Sequence, residues 1–220
     1  MPTRRIEWID TLRAFAIFAS VLGHTLRGAS IYCFLYSFHV PLCIMISGFC
    51  FSYNKTFKQL AVMAFKKMYI PYLIFGMASI IIYVILAPIA EGHSVISQIP
   101  EYALGLIYGN GYLGMESGGF MRWNLPLWYI PCLIADEIVS WAVDRFLGKT
   151  LQLKQYAFVR TEILITVIAA LIISRIDINL PFGFETAVAL CPFFFIGKAM
   201  KMLWKQHRTS VHGGGHSCLA

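Results

Sequence analysis

The sequence predicts an all-α fold, a polytopic transmembrane helix bundle of about six spans with both termini on the cytoplasmic side. Two observations carry the class. Hydrophobic residues make up 58% of the 220-residue chain and charged residues only 13%, against roughly 25% charge in an average soluble domain. The mean hydropathy is +0.67, so the chain cannot cover a surface with polar groups, and a chain solvated by lipid does not need to. A third observation, the alternation of basic and non-basic connections, supports the number of spans.

The first span covers about 10–28. Arg4 and Arg5 ahead of an apolar run imitate a secretory leader, but Asp10 and Arg13 interrupt that run and no small-x-small cleavage site follows, so it reads as a retained helix. A tight turn near 28–31 leads to a second span at 31–53. The third, 68–90, is MYIPYLIFGMASIIIYVILAPIA, the clearest of the set. The others fall at 124–143, 158–175 and 184–204, each near the roughly 20 residues that cross a bilayer core of about 30 Å.

Between the third and fourth spans, 91–123 combines glycines with Tyr102, Tyr108, Tyr112 and Phe120. It is expected as a flexible outer loop holding an interfacial helix at 99–108, the alternative being an acceptor-binding loop over a membrane cavity. Residues 1–204 thus form the membrane domain, and 205–220 are expected as a disordered polar tail. In that tail His212 and His216 flank three glycines, which give no fixed ligand geometry, and no metal is expected. The six cysteines contain no CxxC pair and read as small packing residues. Asn54-Lys55-Thr56 has the glycosylation pattern but falls in an inner connection.

With the N-terminus inside, 14 of the 18 basic residues fall in inner segments, Arg27, Arg122 and Arg175 fall outside, and Arg13 lies within the first helix. This asymmetry supports the topology. It also accounts for the net charge of +7 by proximity to anionic membrane lipid; no nucleic-acid partner is expected.

Ionisable groups inside a bilayer are costly and are functional candidates. Arg13, His24, His39, Asp136 and Glu137 stand out. Arg13 and His24 are eleven positions apart, so they share one helix face at an axial separation of roughly 16 Å. Snorkelling of Arg13 with Asp10 as its partner, and a packing hydrogen bond for His24, are the structural alternatives. Counting outward from the turn near 28–31 brings His24 and His39 to similar depth in the outer half. The same counting sets Arg13 level with Asp136 and Glu137, either of which is expected to neutralise it.

Several stretches together resemble a known family. RIEWIDTLRAFAIFASVLGH carries a basic residue, ten residues and a histidine, met by Arg13 and His24. SFHVPLCIMISGF supplies Phe38-His39-Val40-Pro41 and Ser47-Gly48-Phe49; Lys66-Lys67 precede Tyr69-Ile70-Pro71; LPLWYIPCLIADEI supplies Leu127, Trp128, Tyr129 and Glu137; PFFFIGKAM spans Pro192 to Met200. In this order, over about 5–204, they resemble the acyltransferase 3 family of membrane O-acyltransferases, and within it the branch similar to fucose 4-O-acetylases.

The resemblance implies an acyl-CoA donor, usually acetyl-CoA, and a carbohydrate or lipid-linked saccharide acceptor at the bacterial inner membrane. It implies catalytic roles for His24 and His39, donor binding by Arg13, Lys66 and Lys67, and acceptor binding by Trp128 and Glu137. Histidine, with a pKa near neutrality, suits removal of a sugar hydroxyl proton during attack on a thioester. Family members usually carry more helices than the six read here, which leaves a truncated product, a short branch or one part of a homo-oligomer open. A transporter or flippase is the rival class, but no repeat relates 1–110 to 111–204, as many such proteins would show. A truncated, inactive member that only binds a partner is the third reading.

Overall fold

The computed structural model describes residues 6–25, 30–90, 92–110, 121 and 123–213. Among them every regular element is helical. The α-helices are α1 (Glu7–Thr25), α2 (Ser30–Cys50), α3 (Phe57–Ala64), α4 (Ile70–Ala90), α5 (Ile99–Tyr108), α6 (Tyr129–Thr150), α7 (Gln155–Ile173) and α8 (Phe184–Gly213). Among the described residues four segments are long and apolar enough to cross a membrane: Cys33–Cys50, Phe57–Ala90, Gln155–Ile173 and Pro181–Arg208. The chain is an all-α helical membrane protein. Helices α1 and α6 stand at the first and fourth expected spans and are 19 and 22 residues long. Their ionisable side chains, Asp10 and Arg13 in one, Asp136, Glu137, Asp144 and Arg145 in the other, keep them below that apolar measure.

Two boundaries differ from expectation for local reasons. The third span begins at Phe57 rather than 68, because Thr56 and Gln59 form a capping box that starts α3 there, satisfying backbone donors a helix start leaves open. A π-helical turn, Phe65–Tyr69, then joins α3 to α4, and the Ile70 N–H bonds the Phe65 carbonyl. Pro71 follows; it has no N–H, and its ring disfavours the ordinary register four residues back. The second difference is at the C-terminus. Residues 205–213, expected as part of a disordered tail, continue α8. Tyr156 of α7 hydrogen-bonds Gln206, and the Arg208 guanidinium lies 4.9 Å from the Trp204 ring; both contacts favour the helical turn. The expected interfacial helix at 99–108 is α5. Residues 111–120 and 214–220, where the glycine-rich loop and most of the histidine pair's surroundings were expected, lie outside the described residues.

The chain divides into two compact units, one of 1–51, 144–167 and 190–220, the other of 52–143 and 168–189. In the first, α2 and α8 meet backbone to backbone. A methyl group added at Gly48 would lie 2.0 Å from the Phe194 carbonyl oxygen, and one at Gly197 2.0 Å from that of Met45. Only the missing side chains permit this approach, as in small-residue helix crossings within membranes. Gly197→Ala is therefore expected to force α2 and α8 apart at a cost of about 1–3 kcal/mol, read as a lower thermal transition of the purified protein in detergent.

In the second unit, α4 and α5 enclose a core around Tyr72, Ile80, Tyr102, Leu106 and Trp123. The Tyr72 hydroxyl donates to the Leu106 carbonyl at 2.7 Å. Where α5 ends, Asn110 donates to Glu185 at 2.8 Å and to the Leu180 carbonyl at 3.1 Å. Glu185 also accepts from the Leu180 N–H at 3.0 Å. This clasp satisfies polar groups of the turn before α8 that burial would otherwise leave costly.

Candidate functional site

The first unit brings His24 and His39 together. Their ring centroids lie 6.4 Å apart, edge to face, across α1 and α2. His39 is buried, and its Nδ1 is 2.8 Å from the Leu35 carbonyl oxygen. A carbonyl only accepts, so this contact assigns the proton to Nδ1 and leaves Nε2 of a neutral ring as the acceptor. His24 is half-buried, in the last turn of α1. The depth count from the turn thus agrees with the observed pairing.

Arg13 sits three turns away on α1. Its guanidinium lies 3.5 Å from Asp10 and donates to Cys50 Sγ at 3.1 Å. Asp10 is the partner that the sequence offered as the alternative to Asp136 or Glu137, which lie in the second unit. Asp10 is i−3 on the same helix, so the contact needs no particular arrangement between helices. The Arg13 side chain is 50% exposed, leaving guanidinium donors for a ligand.

The other expected site residues lie in the second unit. Lys66 and Lys67 are exposed on the π-helical turn and with Lys58, Gln59, Val62 and Met63 line an open groove. Trp128 ends a 3₁₀ turn, Leu125–Trp128. It meets Tyr129 edge to face at 6.4 Å and packs against the core around Tyr72. Glu137 lies on α6, and its cationic neighbour is Lys55. Asp136 is completely buried. Among the described residues neither Asp136 oxygen has a hydrogen-bond partner, nor does Glu137 Oε2. Buried carboxyl oxygens without partners are rare and call for a bound polar group or a functional reason.

A charged cluster in the first unit escaped the sequence reading. Lys198 of α8 donates to both oxygens of Glu162 on α7 at 2.7 Å and to Asp144 of α6. Glu162 is completely buried, and the Lys198 ammonium also lies 5.1 and 5.4 Å from the Phe158 and Phe195 rings. The signal was available: Glu162 falls inside the expected span 158–175 and Lys198 inside 184–204. Counting Lys198 among the inner basic residues for topology hid its place within a helix.

The assembled picture is a histidine pair between two helices with an arginine farther along the same helix, in a protein with helices long and apolar enough to cross a membrane. Comparison with curated proteins found no match, and comparison with solved structures found none. The family model described as an acyltransferase domain matches residues 6–220, nearly the whole chain. The chain belongs to the acyltransferase 3 family of membrane acyltransferases.

Proposed function

We propose that the chain transfers an acyl group, usually acetyl, from acyl-CoA to a hydroxyl of an envelope carbohydrate or its lipid-linked precursor, at the bacterial inner membrane and within the branch similar to fucose 4-O-acetylases. The observation that supports this best is the His24–His39 pair, with centroids 6.4 Å apart and His39 Nδ1 held by the Leu35 carbonyl. A sugar hydroxyl is a weak nucleophile, and a neighbouring base makes its attack feasible. His24 takes the hydroxyl proton as the oxygen bonds to the thioester carbonyl carbon. The tetrahedral adduct then collapses, the carbon–sulfur bond breaks, and the imidazolium returns its proton to the departing CoA sulfur. His39, held by its carbonyl bond, orients His24 from the facing helix.

Arg13 binds donor phosphates at the opposite end of α1, in competition with Asp10. The roughly 16 Å rise from Arg13 to His24 suits an extended thioester arm. Lys66 and Lys67 add positive charge for the donor. Trp128 offers an aromatic face, and Glu137 a buried oxygen without a hydrogen-bond partner among the described residues, to the acceptor's rings and hydroxyls.

The test is transfer of radiolabel from acetyl-CoA to envelope polysaccharide in membranes containing the chain. Label in polysaccharide above that of membranes without the chain supports the reading, and its absence with stably inserted protein refutes acetyl transfer to that acceptor. In the same assay Arg13→Ala is expected to raise the KM for acetyl-CoA about tenfold, the scale of one charged hydrogen bond, with kcat little changed. An unchanged KM removes Arg13 from donor binding.

A further inference from the structure

At the end of α2 away from the histidines, cations from two different helices close on consecutive residues. Arg13 of α1 donates to Cys50 Sγ at 3.1 Å. Lys201 of α8 donates to the Phe51 carbonyl at 2.7 Å. The residues immediately before these, Leu12, Phe49 and Met200, line a narrow apolar crevice with Trp8 and Ile9. Trp8 is 37% exposed. Its ring meets Phe49 edge-on at 5.1 Å, and Phe49 meets Trp204 at 5.8 Å. A planar guanidinium fork, a compact ammonium and an aromatic wall thus flank one end of α2.

We propose that Lys201 is a second phosphate-binding cation, acting beside Arg13 on the phosphorylated nucleotide of the acyl-CoA donor. This rests on the donor reading above and extends it to residues on another helix. A diphosphate presents several anionic oxygens, and a forked donor with a point charge matches them better than either alone. Arg13 and His24 share one face of α1, so phosphates held by Arg13 and Lys201 and a thioester at His24 fall in sequence along it. Acyl-CoA donors and anionic lipids share phosphate chemistry, and the binding measurement separates the two.

The experiment measures binding of CoA and of pantetheine, which lacks the nucleotide, to the full chain in phosphatidylcholine nanodiscs. Lys201→Gln is expected to weaken CoA binding about tenfold or more and to leave pantetheine binding unchanged. Combined with Arg13→Gln, it should lose less than the two single losses multiplied if the groups hold one diphosphate. In the wild type, amine labelling of Lys201 followed by mass spectrometry should slow with CoA and not with pantetheine, a readout independent of how the variant folds. Equal CoA affinity in wild type and Lys201→Gln, with lowered thermal stability, would reduce Lys201 to a cap on the end of α2. A CoA effect of Lys201 that arises only when phosphatidylglycerol is added to the discs would assign the cation to lipid and overturn the proposal. Wild-type protein that binds no CoA defeats the donor reading itself, whereas binding that is indifferent to Lys201 defeats only this inference.

Discussion

His24→Ala is expected to lower acyl transfer by about 10²–10⁴-fold, the usual contribution of a positioned general base, with little change in the amount of inserted protein. The side chain is half-buried rather than central to a core, so its loss removes a proton acceptor without emptying a large packed volume. Transfer from labelled acetyl-CoA, normalised to protein in the membrane, reads the effect. His39→Ala should also lower transfer, but it removes a buried ring tied to the Leu35 carbonyl and should lower thermal stability as well. That contrast separates a base from the group that positions it. Undiminished transfer by His24→Ala removes His24 from the chemistry.

Lys198→Met is expected to cost about 3–5 kcal/mol, the range for leaving one side of a buried ion pair without its partner. Glu162 is completely buried and has both oxygens on the Lys198 ammonium, and Asp144 shares the same ammonium. Without the cation the two carboxyl groups face each other in an apolar setting. Thermal unfolding in detergent and the yield of inserted protein measure the loss. Adding Glu162→Leu should recover part of it, because the second change removes the stranded carboxyl rather than another favourable contact. A double variant no more stable than Lys198→Met would show that the cluster contributes nothing as an ion pair.

How much of this was legible follows from which distances a single helix determines. Within one helix the 3.6-residue repeat sets both face and rise, so the common face of Arg13 and His24 follows from their spacing alone. A short connection between α1 and α2 extends that reasoning one step, which is why His24 and His39 were matched in depth and are found with rings 6.4 Å apart. For Arg13 the same-helix alternative, Asp10 three residues earlier, is observed, and Cys50 of α2 joins it; the first follows from helix spacing, the second from how α1 and α2 are rotated against each other.

By itself, then, the sequence determined the membrane class, the all-helical fold and the residues that share a face. An apolar chain in lipid must satisfy its backbone internally, and helices do this segment by segment. Only the tertiary structure decided that Lys198 reaches Glu162 and Asp144 from two other helices, and that Lys201 joins the end of α2 near Arg13. Those partnerships depend on helix rotation and on the close α2–α8 crossing at Gly48 and Gly197. Crossing and rotation arise from packing among side chains distant in sequence, and no periodicity along one helix encodes them.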